Sequence, residues 1–413
     1  MIGEASSEQL ASIELGLRGQ LLGAFAAEPS LLHRWVVSIL LEEVARLTGR
    51  AASAIPWQSW TRDTRIDEAG IGLDSLARLE VVARLNEAFD LASTAIEDYV
   101  FIAPSLGEWC DLILKSFEIR EHADDIWLGF RTSGSDGVPK RVRHRLDALL
   151  AEASIMGGVL RQPRRVNVSV PLHHIYGCLF GVLLPALLGS DVRDAKGNGP
   201  SCLLADTDCR TLCVATPFHW ALAMRSAFGR QAATGLSSTA PAPPSLWASS
   251  ARHLSRMVEV FGSTETAGIG WRENGDAPFA LMENLRRDVD TVLDSRGQAL
   301  ELQDRLRWQG ERHFQPEGRR DGAVQVGGVN VFPDKVARVL SAVPSVRASA
   351  VRLGSGGRLK AFIVPEKNVK PEALEVQVRA RLLETLTPPE RPTEFRFGAE
   401  IPTNDMGKAT DWT

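Results

Sequence analysis

The sequence predicts an α/β protein in three parts: a helical head, a layered α/β middle and a small α+β tail. Apolar residues recur at helical spacing in LLHRWVVSILLEEVARL and LARLEVVARLNEAF, which makes residues 1–118 a helical domain. Across 122–319, short apolar runs such as RVNVSV and TLCVAT alternate with helix-length segments and Gly/Pro punctuation, the pattern of strands layered with helices. From GRRDGAVQVGG onward, strand-like AVQVGGVNV and LKAFIVP flank helix-like PDKVARVLSAV and ALEVQVRARLLETL, so 320–413 reads as a small α+β domain.

Composition narrows the function classes. A chain of 413 residues that is 44% hydrophobic buries a real core, and a formal charge of −4 points away from nucleic acid or an anionic membrane as the main partner. No run of about 18 uncharged apolar residues occurs, and MIGEASSEQL lacks a basic region followed by an apolar one, so the expectation is a cytoplasmic protein with no membrane span. Cys202, Cys209 and Cys213 lack paired CxxC spacing and nearby histidines, so the five cysteines read as free thiols rather than a zinc site.

The stretch FRTSGSDGVPKRVRH, Phe130 to His144, concentrates glycines, hydroxyls and a lysine between an apolar approach and a helix-like run. Such a turn exposes successive backbone N–H groups, and the hydroxyls and lysine add donors and charge for phosphate oxygens. Its spacing does not fit GxxxxGK[ST]: Lys140 follows a proline, and no Ser or Thr comes after it. A plain surface turn has the same composition, so the stretch is informative only in company.

That company is a series of motifs in fixed order. TSGSDGVPK, Thr132 to Lys140, resembles the TSGSTGxPK loop of the adenylate-forming enzymes, the superfamily of acyl-CoA synthetases, peptide-synthetase adenylation domains and luciferases. PLHHIYG, Pro171 to Gly177, resembles that family's PLFHxYG; SSTAPAP, Ser237 to Pro243, its SGGAPL turn; and FGSTET, Phe261 to Thr266, its YGSTET. GRRDGAVQVGGVNVFPDKV from Gly318 is similar to the hinge segment, and IPTNDMGKA from Ile401 to the final lysine motif.

The resemblance implies ATP and Mg2+ as co-substrate and cofactor, and it gives each residue a task. Thr132, Ser133, Gly134, Ser135, Gly137 and Lys140 match the triphosphate loop; Ser238, Thr239, Ala240 and Pro241 match the adenine-side turn. Phe261, Gly262, Ser263 and Thr264 match the strand end that meets the nucleotide, with Thr264 at the α-phosphate and Glu265 as the metal ligand. Asp304, in LQDR, stands at the distance of the ribose-binding aspartate before the nucleotide-contacting Arg319, and Asp321 matches the hinge. Lys408 matches the cation that bridges carboxylate and α-phosphate, and His174 the histidine that gates the acid pocket, whereas His173 reads as structural. The chemistry explains these types: a carboxylate must exchange an oxygen for AMP before a thiol can displace it, and that exchange needs charge control at phosphorus.

Two departures stand out. Asp136 occupies a loop position where the family has Thr or Ser, and the helical head fills the place of a much larger α/β region, so the chain resembles a truncated adenylate-forming large domain with a compact C-terminal domain. Within the head, GLDSL at Gly72 to Leu76 resembles the phosphopantetheine-attachment motif of acyl carrier proteins, with Ser75 as the matching serine, although Asp74 and Ser75 also suit a helix cap. The short length and FGSTETAGIGWR resemble compact ligases of 4-coumarate and hydroxybenzoate, which implies an aryl acid and a thiol acceptor, either CoA or the phosphopantetheine of an acyl carrier protein. Asp136 and the missing subdomain also allow a non-catalytic carrier or interaction protein on a degenerate ligase body.

Overall fold

The computed structural model describes residues 7–132, 140–195, 199–227, 229, 231–327, 329–354, 356–402 and 412. The chain divides into two compact units: Met1–Thr132 with Arg141–Leu302 and Trp308–Gln315, and Ser133–Lys140 with Gln303–Arg307 and Pro316–Thr413. The head helices and the central sheet therefore share one unit.

The head comprises α1 (Ser7–Ala27), α2 (Pro29–Thr48), α3 (Ser75–Phe89), α4 (Glu97–Ile102) and α5 (Leu106–Ile119). Local chemistry sets their limits. Pro29 opens α2 where an N–H has no helical partner, and Gly49 closes it at φ 66°. Asp74 caps α3 by accepting the Ala77 N–H at 2.8 Å, and Ser105 caps α5 by accepting the Glu108 N–H at 3.3 Å. The inner faces meet in an aromatic stack, with Trp35 edge-on to Phe89 at 4.8 Å and Phe89 to Phe117 at 6.0 Å.

After the head, β1 (Trp127–Thr132) and β2 (Lys140–Arg145) form a ribbon, followed by α6 (Leu146–Val159) and β3 (Arg165–Val168). The chain then runs through α7 (Ile175–Cys178), α8 (Leu184–Leu188), β4 (Asp191–Asp194), β5 (Thr211–Ala215), α9 (Pro217–Arg225), β6 (Thr234–Ser237), α10 (Pro244–His253), β7 (Arg256–Ser263), β8 (Ala267–Arg272) and β9 (Phe279–Leu281). These strands build a sheet of order β9-β8-β7-β6-β5-β3-β4. Neighbours from β7 to β4 are parallel, whereas β8 and β9 are antiparallel additions. All five residues of β5 are buried, as expected where helices cover both faces of a parallel sheet. A hairpin of β10 (Arg286–Asp288) and β11 (Thr291–Leu293) follows, then β12 (Asp304–Trp308) and β13 (His313–Arg319), whose first residues pair with β9 through His313↔Ala280 and Phe314↔Phe279.

The second unit carries the hairpin of β14 (Val324–Val326) and β15 (Val329–Val331), then α11 (Pro333–Ser341), β16 (Val346–Leu353), β17 (Leu359–Pro365), α12 (Pro371–Thr385) and β18 (Glu394–Phe397). β16 and β17 are antiparallel and β17 and β18 parallel; Val336 and Leu340 of α11 and Leu374, Val378 and Leu382 of α12 pack with Leu359, Ala361 and Ile363 of β17.

Among the contacts that fasten the head to the sheet-bearing part of its unit, two sets meet the expected site segments. On α2, the Ser38 hydroxyl accepts the Leu172 N–H at 3.0 Å, and the Ser38 carbonyl lies 2.8 Å from His173 Nδ1. Glu42 Oε1 lies 3.4 Å from His173 Nε2; burial opposes ionisation of this carboxyl, yet the His173 contact holds it down at about 2. On α3, the backbone of Glu87 approaches β1 so closely that a Cβ on Gly129 would stand 1.9 Å from the Glu87 carbonyl oxygen. Arg131, two residues further along β1, pairs with Glu87 at 2.6 Å and with the buried Glu43 at 2.9 Å.

Gly129→Ala is therefore expected to force α3 and β1 apart and to destabilise the protein by at least about 1–3 kcal/mol in denaturant titrations. Gly158→Ala is the matched control, because a Cβ there meets nothing within 4 Å and a helical alanine should stabilise by about 0.5–1 kcal/mol. Equal effects of the two substitutions would contradict the close approach.

Candidate active site

The sequence motifs of the first unit converge on one edge of the sheet, the carboxyl ends of its parallel strands. β3 runs into PLHHIYG, β6 into Ser238–Pro241, and β7 ends at Ser263, directly before Thr264 and Glu265. The chain passes from β3 to β4 on one side and then returns to β5 on the other, so the β3/β5 boundary is a topological switch point, where α/β sheets open a crevice. Tyr176 ties this edge together: its hydroxyl lies 2.9 Å from the Leu236 carbonyl and 3.3 Å from that of Ala215, and burial raises its pKa well above the ordinary phenol value. His174 precedes α7 with an exposed side chain, its ring centroid 4.5 Å from that of His173. His173 faces α2.

The turn after β6 is held from beneath. Ser238 is buried and its hydroxyl donates to the Val260 carbonyl at 2.8 Å. The Ala242 N–H donates to Glu259 Oε1 at 2.6 Å, and the other Glu259 oxygen accepts from Arg272 at 2.7 Å. Burial pushes the Glu259 carboxyl up, against the Ala242 bond and the Arg272 charge. Thr239 takes φ 76°, a left-handed conformation that strains a β-branched residue by about 1–3 kcal/mol. Its Oγ1 and the Oγ of Ser237 are buried without a hydrogen-bond partner among the described residues. Glycine suits position 239 of such a turn, as in SGGAPL, and the threonine adds a hydroxyl there.

The turn between β7 and β8 closes on itself. Thr266 Oγ1 accepts the Ser263 N–H at 3.2 Å, and Ala267 takes φ 57°. A Cβ on Gly262 would stand 2.1 Å from the Ala267 carbonyl, so only glycine lets these strands meet. Thr264 and Glu265 are half-buried at the tip. The Thr264 carbonyl accepts from His144 Nε2 at 2.6 Å; burial lowers the pKa of this imidazole, opposed by that bond and by Glu265. Beneath the turn, Glu152 of α6 accepts the Gly268 N–H at 3.0 Å, while its Oε1 is buried without a partner among the described residues.

Other expected positions divide between the described and the undescribed. Thr132 ends β1 half-buried, and Lys140 begins β2 exposed. Ser133, Gly134, Ser135, Asp136, Gly137 and Lys408 lie outside the described residues. In the second unit, Asp304 begins β12 and Arg319 ends β13, and the Arg320 N–H donates to the Gln303 carbonyl at 2.8 Å, which brings these strand ends alongside. Arg319 grips Asp321 with both arms of its guanidinium, at 2.8 and 2.5 Å, and that bond is the main reason the Asp321 carboxyl titrates below its ordinary value. Ser75 is exposed at the start of α3, whose cap is Asp74. Among the described residues no cluster of three or more His, Cys, Asp or Glu side chains is placed to hold a metal. A lone carboxylate such as Glu265 suits Mg2+, which is bound by one or two carboxylates together with substrate phosphates.

Sequence reasoning passed over His144, Glu152, Glu259 and Arg272. His144 closes the quoted glycine-rich stretch, but nothing in its spacing indicates a contact across 120 residues.

Glu152 yields a pH test. Burial raises its pKa from 4.5 to about 7, so the folded state holds a proton that the unfolded chain releases. The stabilisation is fully present below pH 4.5 and is lost as pH rises through about 7, a change of about 3 kcal/mol. Glu152→Gln keeps the shape without the ionisation, and its melting temperature should lose this component of pH dependence, with a gain relative to wild type near pH 8. Parallel melting curves for the two proteins across that range would contradict the assignment.

The family model described as AMP-binding enzyme matches residues 73–333. The chain is 42% identical over 389 residues to a 4-coumarate–CoA ligase of Rhodobacter capsulatus, covering 92% of this chain and 100% of that protein. It is 36% identical over 385 residues to the 4-coumarate–CoA ligase of Halorhodospira halophila, covering 91% and 97%. Among solved structures it is similar to an o-succinylbenzoate CoA synthetase from Bacillus subtilis, with TM-score 0.55, 18% identity and coverage of 72% and 73%. The amide bond synthetase of Marinactinospora thermotolerans gives TM-score 0.53, 19% identity and coverage of 68% and 67%, a likeness of fold. With a family model across most of its length and a relative matched along its whole length, the chain belongs to the AMP-binding enzymes, the adenylate-forming ligases.

Proposed function

We propose that this ligase activates a hydroxycinnamate or hydroxybenzoate with ATP and passes the acyl group to the thiol of CoA. The observation that carries the reading is the meeting of three motif segments, after β3, β6 and β7, at the carboxyl ends of one parallel sheet. The 4-coumarate–CoA ligase relatives support the acid class and the acceptor.

In the first half-reaction a carboxylate oxygen attacks the α-phosphorus of ATP and pyrophosphate leaves; in the second the thiolate attacks the acyl carbon and AMP departs with that oxygen. Thr132, the loop from Ser133 to Gly137, and Lys140 hold the triphosphate, with Ser238–Pro241 against the adenine. Asp304 binds ribose, Arg319 contacts the nucleotide and Asp321 serves as the hinge. Thr264 contacts the α-phosphate and Glu265 holds Mg2+, which when bound neutralises phosphate charge. His174, exposed before α7, gates the acid, and Lys408 sets a cation between the carboxylate and the α-phosphate.

A second acceptor reading rests on Ser75. Asp74 alone supplies the cap of α3, which leaves the exposed Ser75 hydroxyl available for a phosphopantetheine arm at a helix N-terminus. Expression with a phosphopantetheinyl transferase and intact-mass measurement decides it. An adduct supports this acceptor; no adduct, where a control carrier is modified, leaves CoA.

Pyrophosphate release across a panel of benzoates, cinnamates and fatty acids tests the acid class, each acid being offered with CoA. The aryl acids should give the higher kcat/KM, and preference for fatty acids would overturn the aryl assignment. A chain built on a degenerate ligase body would instead show no ATP–pyrophosphate exchange with any acid. Lys408→Ala should slow adenylate formation by roughly 100- to 1,000-fold, the effect of losing one transition-state charge stabiliser, while thioester formation from supplied acyl-adenylate continues.

A further inference from the structure

We infer that His144 is a positioning residue for the Thr264–Glu265 turn, holding the carboxylate of Glu265 in place for the divalent cation that accompanies the triphosphate. The inference rests on the metal role proposed for Glu265 and adds to it the group that fixes the turn.

The geometry is specific. A carbonyl oxygen only accepts, so the 2.6 Å contact to Thr264 requires the proton on His144 Nε2, whichever form the ring takes. Elsewhere in the turn, Thr266 Oγ1 receives the Ser263 N–H and lies 3.1 Å from the Ser263 hydroxyl, and Glu152 accepts the Gly268 N–H at 3.0 Å. They close the base of the turn and leave its tip, Thr264 and Glu265, to be oriented from outside. His144 does this from the end of β2, four residues beyond Lys140, so one hydrogen bond joins the strand leaving the glycine-rich loop to the turn after β7. Phe130 on the neighbouring strand fixes the imidazole from the side, with ring centroids 6.0 Å apart. A single cation ligand on a short turn has its direction set by the peptide before it. Residues that orient metal ligands in this way typically change metal affinity by about 10- to 100-fold when removed.

The test separates the donor from the ring. His144→Phe keeps a ring against Phe130 and removes the N–H; His144→Gln replaces the ring but keeps an amide N–H of similar reach. Mn2+ binding is read by electron paramagnetic resonance with a saturating non-hydrolysable ATP analogue, with circular dichroism to confirm folding. His144→Phe should weaken Mn2+ binding by about 10- to 100-fold, and His144→Gln should restore most of it. In steady state the loss should fall mainly on kcat for adenylate formation, with KM for the acid unchanged. Wild-type Mn2+ affinity in a folded His144→Phe protein would overturn the inference, as would equal loss in both variants. Glu265→Gln is the separate control: if Mn2+ affinity survives that change, the metal role of Glu265 fails and the inference fails with it.

Discussion

Glu43 is 1% exposed and lies among three arginines, and this pairing constrains the arrangement of the first unit. A carboxylate taken out of water must be met by opposite charge, and removing one partner of such a group leaves a penalty of about 3–5 kcal/mol. Arg46 comes from its own helix and Arg84 from α3, but Arg131 comes from β1, one residue before Thr132. Satisfying Glu43 therefore sets the end of β1 against the head. Glu87, which takes the other side of Arg131, also supplies the carbonyl that only a glycine at 129 can approach. Charge pairing and backbone proximity thus act on the same strand, at the point where it enters the glycine-rich loop.

The second attachment of the head, through Ser38 and Glu42 to Leu172 and His173, works on PLHHIYG in the same manner. Within that segment the Leu172 N–H finds its acceptor on α2, in the Ser38 hydroxyl, and the His173 ring lies against the same helix. Two expected site segments are fastened by helices whose residues take no part in the proposed chemistry. The helical head is thus an integral support of this unit, whatever becomes of Ser75.

Within the proposed chemistry, the turns after β6 and β7 share a method. Each is short, each carries a non-glycine residue at positive φ, Thr239 in one and Ala267 in the other, and each is held by a carboxylate from below. Glu259 receives the N–H of Ala242 and Glu152 that of Gly268. Strained turns persist only when their surroundings over-determine them, and buried acceptors aimed at backbone N–H groups provide that restraint.

The order of the motifs, the helical period of LARLEVVARLNEAF and the apolar runs that became β3, β5 and β17 were legible in the sequence, because each expresses a preference of neighbouring residues. Asp74 as a cap belongs to the same class. Family membership followed from short segments for the same reason: phosphate contacts are made by runs of adjacent N–H groups and hydroxyls. What supports those segments was not legible. His144 meets Thr264 across 120 residues, Glu152 meets Gly268 across 116 and Ser38 meets His173 across 135. No periodicity or spacing marks such pairs, since a histidine on a strand and a glutamate on a helix are ordinary surface residues until packing removes the water around them. The tertiary structure decided their partners, because desolvation and the closure of buried hydrogen bonds exist only once the chain has folded.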